Sequence, residues 1–405
     1  MILFVIILII LFIEIIIFLF VKELKKSFKW IITSKDELPI FSKNKFDIFL
    51  EESYSADLGW DRKPGTKGVE DNKGIKTYFE ITQEGYRKST NKFDNSKIAT
   101  FGDSYTFCRY VSDDKTWQHY LENLCKTHVR NFGVGNYGLD QAFLKFEKTE
   151  LDSENKIIIF SIVPETISRI HSYWKHYLEF GNIFSFKPRF KLDENNEITK
   201  VDNFLTNNKD IEKIYGNIDK VKMHDFFYKE KFIKRMFKFP YSISFLKFFK
   251  LNTKIFYYLI NDLLLKKIFK DNLNKKFYYK ALEQIIIKNI VDSNDYYLID
   301  DMNLLLRKMI FKYDQIINTL DKKMIILIIP QKYDLLVLKK NYYSNFFKNM
   351  SDKVEVIDLT ESFTNHKDIN SLYIDDKYAG HLSERGNKLV SDEIFKYLDR
   401  NSIKW

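Results

Sequence analysis

A parallel α/β fold, with five strands in a doubly wound sheet, follows from two features of the sequence. From residue 97 onward, short apolar runs alternate with turn residues and helix-length segments, and strands that alternate with helices form parallel βαβ units. One run, residues 156–163, is apolar without alternation, as a strand buried on both faces requires. A chain of 405 residues is long enough to cover both faces of such a sheet.

Taken in order, residues 1–21 are apolar except for Glu14, long enough to span a bilayer as one helix. No basic residue precedes this run and no small-x-small site follows it, so an uncleaved anchor is expected over residues 1–22 in place of a cleaved signal peptide. Glu14 costs about 2.5–3.5 kcal/mol at mid-membrane, or else marks a helix partner. Residues 30–95 read as irregular strands at one edge of the core, or as a segment that shapes the cleft. The first half of the α/β core spans 96–164. Its strands are 97–101, 129–134 and 156–163, with helices over 117–124 and 139–151. Residues 165–320 form a mostly helical insertion rich in Phe, Tyr and Lys. The second half, 321–405, holds strands 324–329 and 354–359, one helix from Pro330 to about Asn349, and a last helix over 383–398.

Lys+Arg 65 against Asp+Glu 55 gives a net charge of +10, but the surplus is spread along the chain. No groove-reading or base-stacking layout accompanies it, so a nucleic-acid partner is not expected. The basic, aromatic stretch 226–239 reads as a helical lid, aromatic side inward and lysines outward. Its alternative is a surface lying on anionic lipid. Cys108 and Cys125 fit no CxxC or metal-ligand spacing and read as free, buried thiols. Lys22, Lys25, Lys26 and Lys29 follow the apolar run, so the positive-inside rule puts the rest of the chain in the cytoplasm.

Chemistry enters at Gly102-Asp103-Ser104, where the first strand ends. A serine hydroxyl becomes a nucleophile when a histidine, itself oriented by a carboxylate, takes its proton. The stretch 375–383 supplies both partners, in Asp375, Asp376 and His381. Ser104 follows the first strand and the Asp/His stretch follows the last, so a doubly wound sheet brings both to its carboxyl edge. After the second strand, residues 131–141 carry Gly133, Gly135 and Gly138, which let the backbone turn and present amides to an oxyanion. They match neither the dinucleotide fingerprint nor a P-loop. His119, His128, His171, His176, His224 and His366 lack metal-ligand spacing, so no metal is expected.

These blocks resemble the GDSL-type SGNH hydrolases, in particular the membrane-anchored branch associated with polysaccharide assembly. Gly102-Asp103-Ser104 is similar to the first block, residues 131–138 to the second, and His381-Leu382-Ser383 with Gly386-Asn387 to the last. The resemblance runs over about residues 55–400. It implies a flavodoxin-like three-layer α/β/α domain, carrying the helical insertion and the N-terminal transmembrane helix, that attacks an ester carbonyl through a serine acyl-enzyme. It also implies an oxyanion hole built from the amides of Ser104 and of the second-block position, Asn136 here beside Gly135. The third-block Gly-x-Asn-Asp is absent: the chain reads Ser161-Ile162-Val163-Pro164-Glu165, and Arg169 is the nearby group that offers positive charge. Tyr378 stands where the family has its acid, which leaves Asp376 as first choice and Asp375 as second, linked to His381 through Ala379-Gly380.

The expected activity is hydrolysis or transfer of a small acyl group, acetyl first, on a carbohydrate ester. Ser104 is the nucleophile, His381 the general base and acid, and Asp376 the orienting acid. No cofactor is implied, and the partners are the ester or glycan and the membrane through residues 1–21. The alternative is a catalytically impaired carbohydrate-binding or assembly protein that keeps the fold without the third block. The polysaccharide-associated relatives imply a place outside the inner membrane, against the cytoplasmic side that the lysines give.

Overall fold

The computed structural model describes residues 1–206, 210–269, 275–378 and 380–405. Ala379 and parts of the 165–320 insertion therefore lie outside the described residues. Five strands form one parallel sheet: β1 (Ser96–Gly102), β2 (His128–Gly133), β3 (Ile157–Ile162), β4 (Lys323–Ile328) and β5 (Glu355–Asp358). Their order is β5-β4-β3-β1-β2, the flavodoxin-like arrangement. The chain leaves β1 for β2 on one side and returns to β3 on the other. This opens a crevice at the carboxyl ends of β1 and β3, beside Gly102 and Ile162.

Alternation along each strand divides the core between the two faces. Ile98, Ile157, Ile159, Ile325 and Leu327 join one buried cluster with Trp117 and Leu121 of α3 (Trp117–Cys125) and Val390 and Ile394 of α9 (Glu384–Arg400). Phe101, Ile158, Phe160 and Ile326 join another with Phe143 and Phe146 of α4 (Leu139–Lys148) and Leu306, Ile310 and Tyr313 of α8 (Asp300–Thr319). Helices on both faces of a buried parallel sheet give the three-layer α/β/α fold.

The N-terminal helix α1 (Ile2–Ser27) is long and apolar enough to cross a membrane. Its foot, through Val21, Leu24, Phe28 and Ile32, packs on Ile255, Phe256 and Leu259 of α6 (Phe249–Phe269) and Ala281 of α7 (Lys276–Tyr296). Within 226–239, Phe227, Phe232, Met236 and Phe237 are buried while Lys229, Lys234 and Lys238 face outward. Lys231 is the exception and is buried.

Three segments differ from their sequence reading. Residues 30–95 contain a helix, Lys43–Glu52, and an antiparallel pair, Lys67–Asn72 with Ile75–Glu80, in place of irregular strands alone. The insertion also includes an antiparallel pair, Arg189–Leu192 with Ile198–Val201, ahead of helix α5 (Asp210–His224). The helix expected from Pro330 to about Asn349 is two helices, Lys332–Leu336 and Tyr342–Lys348. Asn294 of α7 explains the break: its Nδ2 donates to the Lys340 carbonyl at 2.9 Å and its Oδ1 accepts from the Tyr342 amide at 2.9 Å. A side chain distant in sequence thus satisfies a new helix start that local periodicity does not reveal.

Candidate active site

Ser104 opens a single-turn helix, α2 (Ser104–Phe107), directly after β1. Asp103 caps it, its Oδ1 accepting the Tyr105 amide at 2.8 Å. Gly133 at the end of β2 lets this turn approach closely, since a Cβ there would stand 2.2 Å from the Phe107 nitrogen. From the far end of the chain, the segment before α9 brings His381 to the same place. Its Nε2 lies 2.9 Å from Oγ of Ser104 and its Nδ1 lies 2.7 Å from Oδ2 of Asp376.

Asp376 is held more firmly than that one bond suggests. Its Oδ1 accepts the amides of Tyr378 at 2.6 Å and Gly380 at 3.2 Å, and its Oδ2 accepts the His381 amide at 2.9 Å. Burial raises the pKa of this carboxyl, but the bonds to His381 and to the amides outweigh it and hold the value at about 2. Asp375 goes elsewhere: its side chain is 90% exposed and pairs with Lys73 at 2.5 Å. Of the two acids, only Asp376 meets the imidazole. Ser383 caps α9 through the Gly386 amide at 3.2 Å.

Asn136 follows β2 at φ +69°, a left-handed conformation that asparagine tolerates better than most residues. It lines the same cavity as Ser104 and His381. Among the described residues, neither its amide nor that of Ser104 has a hydrogen-bond acceptor in the protein. Gly135 contributes to the loop through its carbonyl, which accepts from Nε1 of Trp60 at 2.9 Å. The Tyr137 hydroxyl in turn donates to the Trp60 carbonyl at 2.6 Å. Segment 30–95 therefore braces the second block.

Arg169 is buried at the cavity wall, but its charge is already engaged. Nη1 donates to Asp103 at 2.8 Å and to the Tyr137 carbonyl at 3.1 Å, and Nη2 donates to Glu165 at 3.0 Å. It ties the capping residue of α2 to the second and third blocks, so it reads as a positioning residue with two carboxylate partners. Its guanidinium pKa lies above the ordinary range: burial lowers it, and Glu165 and Asp103 more than compensate.

Sequence reasoning missed several neighbours. Three rings surround His381: Tyr105 at 5.2 Å, Tyr110 at 5.7 Å and Tyr378 at 5.8 Å between centroids. Arg109 lines the cavity, lies 5.1 Å from the Tyr378 ring and donates to Glu70 at 2.9 Å. Buried Arg87 donates to the carbonyls of Phe107, Cys108 and Val111 and so pins the loop after α2. The one available signal was the cluster of Arg62, Glu70 and Arg87 in a segment read as edge. Cys108 and Cys125 are free and buried, and burial pushes both thiols up to about 12.

The chain matches no protein-family model and no curated protein. Six chains of known structure match it. One of them, from Desulfitobacterium hafniense DCB-2 and described as a lipolytic protein of the G-D-S-L family, is 10% identical. That match covers 75% of this chain and 99% of the other, with a TM-score of 0.32. At that level of likeness, the chemistry rests on the distances within this chain alone.

Proposed function

We propose that the chain is a membrane-anchored SGNH-type serine esterase or O-acyltransferase acting on a small acyl ester, acetyl first, of a carbohydrate. The observation that carries this reading is the hydrogen-bonded series Ser104, His381, Asp376, at 2.9 and 2.7 Å. Ser104 Oγ attacks the ester carbonyl while His381 Nε2 takes its proton; the Oγ–C bond forms and the C–O bond of the alcohol breaks. His381 then hands the proton to the departing oxygen. Asp376 holds the imidazole with Nδ1–H toward it and balances the imidazolium charge. The free amides of Ser104 and Asn136 take the oxyanion. Water or a sugar hydroxyl completes the cycle by the same route in reverse. Anchoring rests on the length and exposure of α1.

The absent third-block asparagine is the feature that favours a binding or assembly protein. Losing one oxyanion donor lowers turnover by roughly 10²–10³-fold, which slows such an enzyme without abolishing it. The test is acetate release from an acetylated oligosaccharide and from p-nitrophenyl acetate, with and without a free glycan acceptor. The esterase reading expects release that disappears in Ser104→Ala. Equal release by both proteins would overturn it, and a glycan that binds without turnover would favour the binding reading.

A further inference from the structure

The cavity that holds Ser104 and His381 continues to the foot of α1. Its volume is about 660 Å³, more than an acetyl group needs and within the range of sites that enclose a whole small ligand. Phe28, Trp30 and Ile31, which directly follow α1, form part of its wall together with Leu282 and Ile285 of α7. This apolar side therefore begins where the apolar helix ends.

The charged side of the wall is unbalanced. Arg109 is paired with Glu70, Arg169 with Asp103 and Glu165, and the lining carboxylate Glu179 with Lys175. Lys231 and Arg235, also in the wall, have no carboxylate within ion-pair distance among the described residues. Lys231 Nζ donates to Oδ1 of Asn289 at 2.7 Å and to the Leu178 carbonyl. Nη1 of Arg235 is shut off from solvent without any hydrogen-bond partner, and its guanidinium stands 5.6 Å from the Phe180 ring. Burial pulls both cations down, Lys231 to about 7 and Arg235 to about 10. Asp292 acts on both only from beyond ion-pair distance, and a cation drawn away from water without a carboxylate in contact is costly, a cost that an anionic oxygen relieves.

We propose that this cavity binds an amphiphilic ester with a phosphate-type anionic head group, the anion at Arg235 and Lys231 and the hydrocarbon along Phe28, Trp30 and Ile31. This names the substrate class of the same site and rests on the acyl-transfer reading of Ser104. The bonds made and broken are those already given: the acyl carbon passes to Ser104 Oγ, and the carbohydrate hydroxyl that carried it leaves with the proton from His381.

The test uses the full chain in detergent and follows fluorophosphonate labelling of Ser104 against three competitors: hexadecyl phosphate, inorganic phosphate and hexadecyl maltoside. Rates are normalised to each variant's uncompeted rate. Hexadecyl phosphate is expected to slow labelling at concentrations at least tenfold below either of the other two. Arg235→Ala is expected to raise that concentration about tenfold, and Arg235→Lys to raise it less. Protection by inorganic phosphate at equal concentration would overturn the lipid source in favour of a soluble phosphorylated ester. Labelling unaffected by every competitor would overturn the subsite. If wild type does not label at all, the acyl-transfer reading fails separately. A thermal shift with hexadecyl phosphate then judges the subsite: a shift lost in Arg235→Ala supports it, and no shift in wild type overturns it.

A second, independent observation concerns depth in the membrane. Glu14 lies eight residues before Lys22, about 12 Å along the helix axis. Its neighbours Ile13 and Ile15 are exposed, yet Glu14 is buried. Its carboxylate accepts the amides of Tyr241 at 2.5 Å and Ser242 at 3.0 Å and the hydroxyl of Ser242. These residues open the short helix Tyr241–Lys247, which is thereby fixed beside α1 well inside the apolar span. Phe239, Ile243, Leu246 and Phe249 are 73, 63, 62 and 54% exposed there. We infer that residues 239–249 dip into the bilayer leaflet nearest the folded domain, with Phe239, Ile243 and Leu246 among the acyl chains and Lys238 and Lys247 reaching back to the head groups.

A nitrobenzoxadiazole group on Ile243→Cys, in phosphatidylcholine proteoliposomes, reads this directly. A blue-shifted emission quenched by 5-doxyl and 12-doxyl lipids is expected, while the same group on Val69→Cys keeps a water-like, unquenched emission. Water-like, unquenched emission at position 243 in protein that still labels at Ser104 would overturn the inference.

Discussion

Nε2 of His381 lies 2.9 Å from Oγ of Ser104 although 277 positions separate the two residues. A second bond fastens the same junction: the Tyr105 hydroxyl, next to the serine, donates to the Gly380 carbonyl, next to the histidine, at 2.6 Å. Ser104 and His381 are therefore held in register by a second contact between their neighbours. Tyr105→Phe removes that bond and leaves a buried carbonyl unmet, at a cost of about 1–3 kcal/mol in stability. Turnover of p-nitrophenyl acetate should fall roughly tenfold in kcat with KM little changed.

Asp376 and Asp375 are adjacent but differ in consequence. Asp376→Asn should lower kcat by roughly 10³–10⁴-fold, the scale known when an amide replaces the acid of a serine triad. Asp375→Asn, at an exposed pair with Lys73, should stay within about twofold. Steady-state kinetics of the two variants side by side checks both.

The depressed pKa of Asp376 also predicts an acid limb in stability. A carboxyl held at about 2 when folded and near the ordinary value when unfolded stabilises the protein fully above about pH 4. That contribution is lost as pH falls through the folded value. Chemical denaturation at pH 4.5 and pH 2.5 should show the gap between wild type and Asp376→Asn narrowing by about 1–2 kcal/mol at the lower pH.

The oxyanion role proposed for Asn136 uses only its backbone amide. Asn136→Gly keeps the amide and the positive φ, so activity should remain within about threefold. Asn136→Val forces a β-branched residue into the left-handed region and should cost about 1–3 kcal/mol and most of the activity. Thermal unfolding together with ester hydrolysis separates the two effects.

Arg169 sits between two buried carboxylates. Arg169→Ala strands both and should destabilise the fold by about 3–5 kcal/mol in denaturant titration. Arg169→Lys should recover only part, because one ammonium cannot reproduce the fork that reaches Asp103, Glu165 and the Tyr137 carbonyl together.

Much of the core was legible because its signals are local. The apolar runs that became β1 to β5 needed only their own composition, and Ser104 and Asn136 follow strand ends that those runs define, whereas His381 comes well after β5, in the segment just before α9. Choosing between Asp376 and Asp375 was only a preference in the sequence, since the choice depends on three amides of one turn. Arg169 looked like a free charge from its nearness to β3, and its engagement appears only when Asp103 and Glu165 are seen to converge on it. The break at Lys340 and Tyr342 and the clamp on Glu14 are likewise made by side chains from distant helices. Glu14 within an apolar span is open to two readings, an insertion cost or a helix partner, and nothing local points to Ser242.

The proposed acyl chemistry requires Ser104 to be an activated nucleophile. Intact-mass spectrometry of the full chain after treatment with a fluorophosphonate reads this in one step. One adduct on wild type, mapped to Ser104 and lost in both Ser104→Ala and His381→Ala, is the predicted result. No adduct on correctly folded wild type, or an adduct that persists in Ser104→Ala, would contradict it.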